Sequence, residues 1–164
     1  MFRKIKVLLV ILIMGFSTVL SADYAYDMAS KAYEYTKNGN YKDAKYYLEL
    51  SANAGNTWSK GQLGWMYSAG KGVPKDYGKA KKYYQEAANA GDIYSLGQMG
   101  WLYSSGKGVI RNYNKAKEYY EEAAAGGDKF SKGQLGWLYS EGLGVSKNYS
   151  KAKRYFEEDG SAYS

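Results

Sequence analysis

The chain has 164 residues and contains neither cysteine nor histidine, which excludes disulfides, thiolate nucleophiles and thiolate metal sites, and any histidine base or ligand. Its formal charge is +7, and setting aside Arg3, Lys4 and Lys6 leaves +4 spread over the remainder. That balance is too diffuse to point to nucleic acid, even with 20 tyrosines able to stack on bases.

Residues 1–22, "MFRKIKVLLVILIMGFSTVLSA", open with the three basic residues and continue into an apolar run from Val7 to Leu20. Interrupted by Gly15, Ser17 and Thr18, the run is shorter than the roughly 20 residues that cross a bilayer. It fits the apolar region of a secretory signal, with cleavage expected near Ser21 or Ala22. The product is then periplasmic or secreted, with no integral membrane segment. An uncleaved N-terminal anchor is the alternative, because Leu20 sits three residues before a cut after Ala22.

From residue 23 onward the chain repeats. "KGQLGWMYSAGKGV" at 60–73 returns as "LGQMGWLYSSGKGV" at 96–109 and as "KGQLGWLYSEGLGV" at 132–145. Trp65, Trp101 and Trp137 stand 36 residues apart, as do Tyr77, Tyr113 and Tyr149, and Ala80, Ala116 and Ala152. A fixed period of this length marks stacked units. The boundaries are a first hairpin at 23–55, repeats at 56–91, 92–127 and 128–159, and a tail at 160–164.

The first hairpin pairs a helix from about Asp23 to Lys37 with "NYKDAKYYLELSANAGN", joined through "NGN", and makes an atypical capping unit. In the next unit, Asn56 to Tyr67 reads as a helix, "SAGKGVPKD" interrupts, and Tyr77 to Asn89 reads as a second helix. Asp76, Asn112 and Asn148 stand where a side chain caps the second helix, and Gly91 and Gly127 supply a left-handed stop. Along that helix Tyr77, Ala80, Tyr83, Tyr84, Ala87 and Ala88 share one face, leaving Lys79, Lys81, Lys82, Gln85 and Glu86 outside. Helices this short are marginal alone, so stacking has to order them. The glycines of "GKGV" let the chain turn with positive φ, and Val73, Val109 and Val145 plug the hairpin ends.

"LGWMYSAGKGVPKDYGKAKKYYQEAANAGD", with its leucine-glycine, tyrosine, G-x-G-V loop and alanine pair, resembles a Sel-1-like repeat, a variant of the tetratricopeptide type. Three such units follow a tetratricopeptide-like first hairpin. The resemblance implies an all-α fold, a right-handed α/α superhelix of about four hairpins that holds protein partners, often in the bacterial envelope. Gly61, Gly97 and Gly133 depart from the family by standing where a larger residue is usual.

Two motifs touch on chemistry. "GKG" lacks the G-x-x-x-x-G-K-[ST] spacing and a preceding strand, so no phosphate loop is read there. Ser68 with Lys71, and Ser104 with Lys107, make the S-x-x-K that opens penicillin-recognising serine enzymes. A cysteine-rich branch of the resembled family is associated with such activity, which keeps a hydrolase of that type as the alternative function. Against it, the third copy has Leu143 at the lysine position, and neither K-T-G nor S-D-N occurs. Glu121, Glu122, Glu157 and Glu158 read as solvated charge at helix ends. No catalytic, cofactor or metal site is expected.

The first helix of each repeat carries two apolar faces. Leu63, Met66 and Tyr67 must pack on the second helix, while Trp58 and Trp65, within about 20° of each other, point elsewhere, with Gln62 beside them. Tyr94, Gln98 and Trp101, and Phe130, Gln134 and Trp137, repeat the pattern. With small Gly61, Gly97 and Gly133 between them, these residues would line a concave groove for a protein or peptide. The opposing expectation is that the rings are buried between hairpins. Self-association through the ends of the stack is a third role.

Overall fold

A computed structural model describes residues 21–160 of the protein, and every regular element among the described residues is an α-helix. In chain order they are α1 (residues 21–37), α2 (Tyr41–Asn53), α3 (Thr57–Ala69), α4 (Tyr77–Ala88), α5 (Ile93–Ser105), α6 (Tyr113–Ala125), α7 (Lys129–Glu141) and α8 (Tyr149–Asp159). The apolar run expected to act as a signal lies outside the described residues, as do residues 161–164 of the tail. Ser21 and Ala22, the expected cleavage region, are the exposed first residues of the described part of α1. No helix among the described residues is long and apolar enough to cross a membrane.

Local chemistry sets the helix ends. From α2 onward each helix starts on Asn or Asp, whose side chain accepts the amide three residues on, as Asp76 does from Lys79 and Asp92 from Ser95. Such a cap is worth about 0.5–2 kcal/mol. Helices α3, α5 and α7 stop on Gly70, Gly106 and Gly142, which take φ of 72°, 71° and 73°. The amides of Gly70 and Lys71 then both donate to the carbonyl of Met66, at 2.8 and 3.0 Å, closing off the end of the helix. These helices run two residues past Tyr67 and its equivalents, because nothing before the glycine favours the left-handed turn.

The second loop glycine has a further constraint. Gly72 takes φ of 68°, and a Cβ there would stand 2.5 Å from the Cβ of Tyr41, the first residue of α2. Gly108 and Gly144 meet Tyr77 and Tyr113 in the same way. Each loop therefore lies directly on the first turn of the preceding hairpin's second helix. The repeated "GKGV" phrase is a seam between units as well as a turn within one.

Inside each hairpin, Leu63, Met66, Met99, Leu102, Leu135 and Leu138 are at most 1% exposed. Full burial of a side chain of this size contributes about 1.5–3 kcal/mol. The rings of Tyr84 and Tyr120 are wholly buried, lying so close over Gly64 and Gly100 that a Cβ would come within 2.6 and 2.5 Å of them. Phe156 takes that place over Gly136. The glycine of "LGW" thus lets the two helices close on an aromatic ring. Val73, Val109 and Val145 pack against these clusters as expected.

Consecutive hairpins join through α2 with α3, α4 with α5, and α6 with α7. In addition α3 touches α5, and α5 touches α7, whereas no pair of even-numbered helices approaches as closely among the described residues. The odd-numbered helices therefore approach one another along one side of the α-solenoid, its inner side.

Candidate binding surface on the inner helices

All nine residues singled out from the sequence lie on α3, α5 and α7. Trp58, Tyr94, Phe130 and Trp137 are 37%, 41%, 44% and 38% exposed; Trp65, Trp101, Gln62, Gln98 and Gln134 are half-buried. Neither full burial nor a free groove wall describes these rings. Each tryptophan of the 36-residue series rests on the tyrosine that starts the preceding hairpin's second helix: Trp65 on Tyr41, Trp101 on Tyr77 and Trp137 on Tyr113, with centroids 6.0, 6.1 and 6.1 Å apart. Tyr94 and Phe130 meet Tyr84 and Tyr120 edge to face, at 6.1 and 6.2 Å. The rings of Trp65, Tyr94, Trp101, Phe130 and Trp137 are thus held along one edge by the preceding hairpin, and Tyr94, Phe130 and Trp137 leave another edge open. Such contacts fix ring orientation, each worth about 0.5–1.5 kcal/mol beyond burial.

Between the rings the surface is hollow. One hollow is lined by Trp101, Ser104, Ser105, Gln134 and Trp137, bridging α5 and α7. A second lies between α1 and α3, lined by Tyr26, Ala29, Ser30, Tyr33 and Trp58. Tyr26 and Tyr33 are 75% and 54% exposed and extend the aromatic series onto α1, where the 36-residue period does not reach. The first hairpin's turn is shorter: Tyr35 stacks on Tyr47, whereas in the next unit Tyr67 stacks on Tyr83, across a longer separation. Allowing for the shorter turn would have brought Tyr26 and Tyr33 into register with Trp58 and Trp65.

Gly61 and Gly97 do not stand between the rings as an open floor. Both are buried, and a Cβ on Gly61 would meet Ser95 Oγ at 3.0 Å and Asp92 Oδ2 at 3.1 Å. Gly97 faces Asp128 and Ser131 in the same way. They are seats for the capping aspartate of the following hairpin, and the departure from the usual larger residue follows from that close approach. Gly133 has no following hairpin among the described residues, and the carboxylate of Asp159 occupies its seat.

The serine and lysine pairs are engaged elsewhere. Ser68 Oγ donates to the carbonyl of Trp65 at 3.0 Å and lies 3.2 Å from Tyr84 Oη; Ser104 repeats this with Trp101 and Tyr120, at 3.1 and 3.0 Å. Lys71 Nζ sits 5.5 Å from the Tyr41 ring centroid, and Lys107 Nζ lies 4.5 Å from that of Trp101 and 5.5 Å from that of Tyr77. Burial pushes the Tyr120 hydroxyl up to about 12 and holds those of Tyr84 and Tyr94 above the usual tyrosine range. These phenols stay protonated at neutral pH and serve as hydrogen-bonding groups.

A family model described as the Sel1 repeat matches residues 22–56, 62–92, 93–128 and 133–158, so it takes in the first hairpin as well as the three with glycine loops. Among solved structures, c5321, a protective antigen present in uropathogenic Escherichia coli strains and displaying an SLR fold, aligns with a TM-score of 0.79. The two are 30% identical, over 84% of this chain and 30% of that one. A Sel1 repeat protein from Oxalobacter formigenes aligns with a TM-score of 0.77 and 30% identity, over 83% of this chain and 57% of that one. This chain therefore spans less than two thirds of either protein. Helicobacter pylori cysteine rich protein B shares the fold at a TM-score of 0.57 and 23% identity, over 73% of this chain and 95% of its own. No curated protein matches the chain. With four matched segments covering most of its length, and hairpins stacked as in these structures, the chain belongs to the Sel1 repeat family.

Proposed function

We propose that the protein is an exported scaffold that binds another protein or a peptide through the inner surface carrying Trp58, Gln62, Trp65, Tyr94, Gln98, Trp101, Phe130, Gln134 and Trp137, and that it performs no chemistry of its own. The observation that carries this reading is the repetition of half-open, oriented aromatic rings on the inner helices, with hollows between them. Rigid aromatics that expose one edge provide contact area at low entropic cost, the property of binding hot spots. Sel1 repeat scaffolds serve protein interaction, which agrees with this surface. Tyr26 and Tyr33 belong to it. The engagement of Ser68 and Ser104 by tyrosine hydroxyls and backbone carbonyls supports a structural origin for S-x-x-K. Export to the periplasm or beyond rests on the pattern of residues 1–22.

The test is photo-crosslinking in the native envelope from a probe placed at Gln98, comparing the wild-type chain with Trp65→Ser/Trp101→Ser. A discrete partner captured by the wild type and lost by the folded double variant is the expected result. Equal capture by both would place the binding surface elsewhere.

A further inference from the structure

The edge of the solenoid formed by the glycine loops bears a second surface, which adjoins the inner face where Lys107 sits over Trp101. Lys71, Lys75, Lys107, Arg111 and Lys147 lie there, all exposed. Elsewhere on the fold some lysines find carboxylates, as Lys45 does with Glu49, Lys60 with Glu86, Lys117 with Glu121 and Lys132 with Glu158, while others such as Lys81, Lys82 and Lys129 stand singly on helix surfaces among the described residues. The five loop cations pair with none among the described residues. They sit over aromatic rings instead, Lys75, Arg111 and Lys147 at 6.0, 5.6 and 5.5 Å from the centroids of Tyr77, Tyr113 and Tyr149. Tyr77 is shared by Lys75 of its own loop and Lys107 of the next, so the cations of the first two glycine loops meet on one ring, while the third loop adds Lys147 over Tyr149. The capping residues reinforce this: Asp76 in the first loop is replaced by neutral Asn112 and Asn148 in the others.

At the tip of the middle loop stands Ile110, 92% exposed, and Tyr149 is 68% exposed at the start of α8. No described residue covers this isoleucine, which precedes Arg111 and lies three residues after Lys107.

We propose that this loop edge docks on an anionic lipid surface, with the cations meeting phosphate headgroups and Ile110 entering the interface. A projecting set of cations beside a bare aliphatic tip suits an extended surface, and each cation brought to anionic lipid raises the partition about fivefold. Exposed tyrosine rings also favour the headgroup layer. The inference does not depend on the inner-surface reading.

Flotation of the full chain with vesicles of phosphatidylglycerol and phosphatidylcholine in equal parts, and with phosphatidylcholine alone, tests it. The variant Lys107→Gln/Arg111→Gln/Lys147→Gln is compared with a control of equal net charge, Lys81→Gln/Lys82→Gln/Lys129→Gln. The edge variant should lose about a hundredfold in partition to anionic vesicles while the control loses little, and Ile110→Ser should lose severalfold at unchanged charge. The variant Tyr94→Ser/Phe130→Ser, whose rings hold none of the loop cations, should partition as wild type, which separates this edge from the inner face. Equal losses in edge and control variants would reduce the effect to net charge and overturn the proposal. So would indifference of the wild type to phosphatidylglycerol. If the edge variant keeps vesicle partition and instead loses binding to polyglutamate, the edge serves an acidic polypeptide and the lipid proposal fails.

Discussion

The odd-numbered helices have two apolar faces that look alike in sequence and fare differently in the fold. On one, Leu63, Met66, Leu102, Leu135 and Leu138 are at most 1% exposed; on the other, Trp58, Tyr94, Phe130 and Trp137 keep 37–44% of their surface. The first face is closed because an even-numbered helix lies opposite and lowers Tyr84, Tyr120 or Phe156 onto a glycine. Among the described residues, the second has no even-numbered helix of its own hairpin opposite. It is held only at its edges by tyrosines of the preceding hairpin. Apolar composition therefore does not distinguish core from surface here; what lies across from the residue does.

The comparison is broken most forcefully on the closed face. Leu135 is fully buried in the cluster formed with Ala116, Tyr120 and Leu138, and Leu135→Ala should cost about 2–5 kcal/mol. Urea melting reads this directly. A cost below about 1 kcal/mol would mean the hairpin can collapse around the lost volume and that the contrast between the two faces is overstated.

Much of this fold was legible before any coordinates. The 36-residue period in Trp65, Trp101 and Trp137, the capping series through Asp76, Asn112 and Asn148, and the loop glycines each require only local rules, and these agreed with one another. The angular arithmetic also separated the leucine face from the tryptophan face. It could not say what stands opposite a residue. Gly61 is a seat because Asp92, 31 positions later in sequence, approaches it, a contact no pattern within one helix contains. Tyr26 and Tyr33 escaped because their register depends on the length of the first hairpin's turn. The lone Ile110 in "GVIRN" carries no periodic signal, and its significance lies in the cations that share its loop.

A second way to sharpen the contrast uses pH. The buried tyrosines on the closed side are stabilised in their neutral form, which lifts their pKa values in the folded chain above about 10 for an unfolded one. Their contribution is complete below pH 10. As pH rises further the unfolded chain ionises while the folded chain holds its protons, so stability falls, and for Tyr120 the fall extends to about 12. Each such group contributes a slope of about 1.4 kcal/mol per pH unit within its window. Tyr120→Phe should remove about that much slope from urea melts between pH 10 and 12. The substitution is sterically mild, since Phe156 already occupies the equivalent place over Gly136. An unchanged slope would show that the Tyr120 hydroxyl is not shielded as its burial beside Ser104 requires.

The smallest effect belongs to the open face. Tyr94 and Phe130 touch Tyr84 and Tyr120 by one edge and leave 41% and 44% of their surface to solvent. Replacement by serine removes an edge contact of about 0.5–1.5 kcal/mol and part of the burial of one ring. Tyr94→Ser and Phe130→Ser should each cost about 1–2 kcal/mol, below the loss at Leu135, because the vacated volume opens to solvent instead of leaving a sealed cavity. The two sites lie on successive inner helices and have different ring partners, so their costs should add to within about 0.5 kcal/mol. Urea melts of both single variants and of the pair decide the matter. Losses approaching that of Leu135→Ala would mean that the half-exposed rings act as core, and the inner face would then have to be read as the seam between hairpins. Costs within the expected range leave the aromatic edges unoccupied by the fold itself, which is the condition a partner-binding surface has to meet.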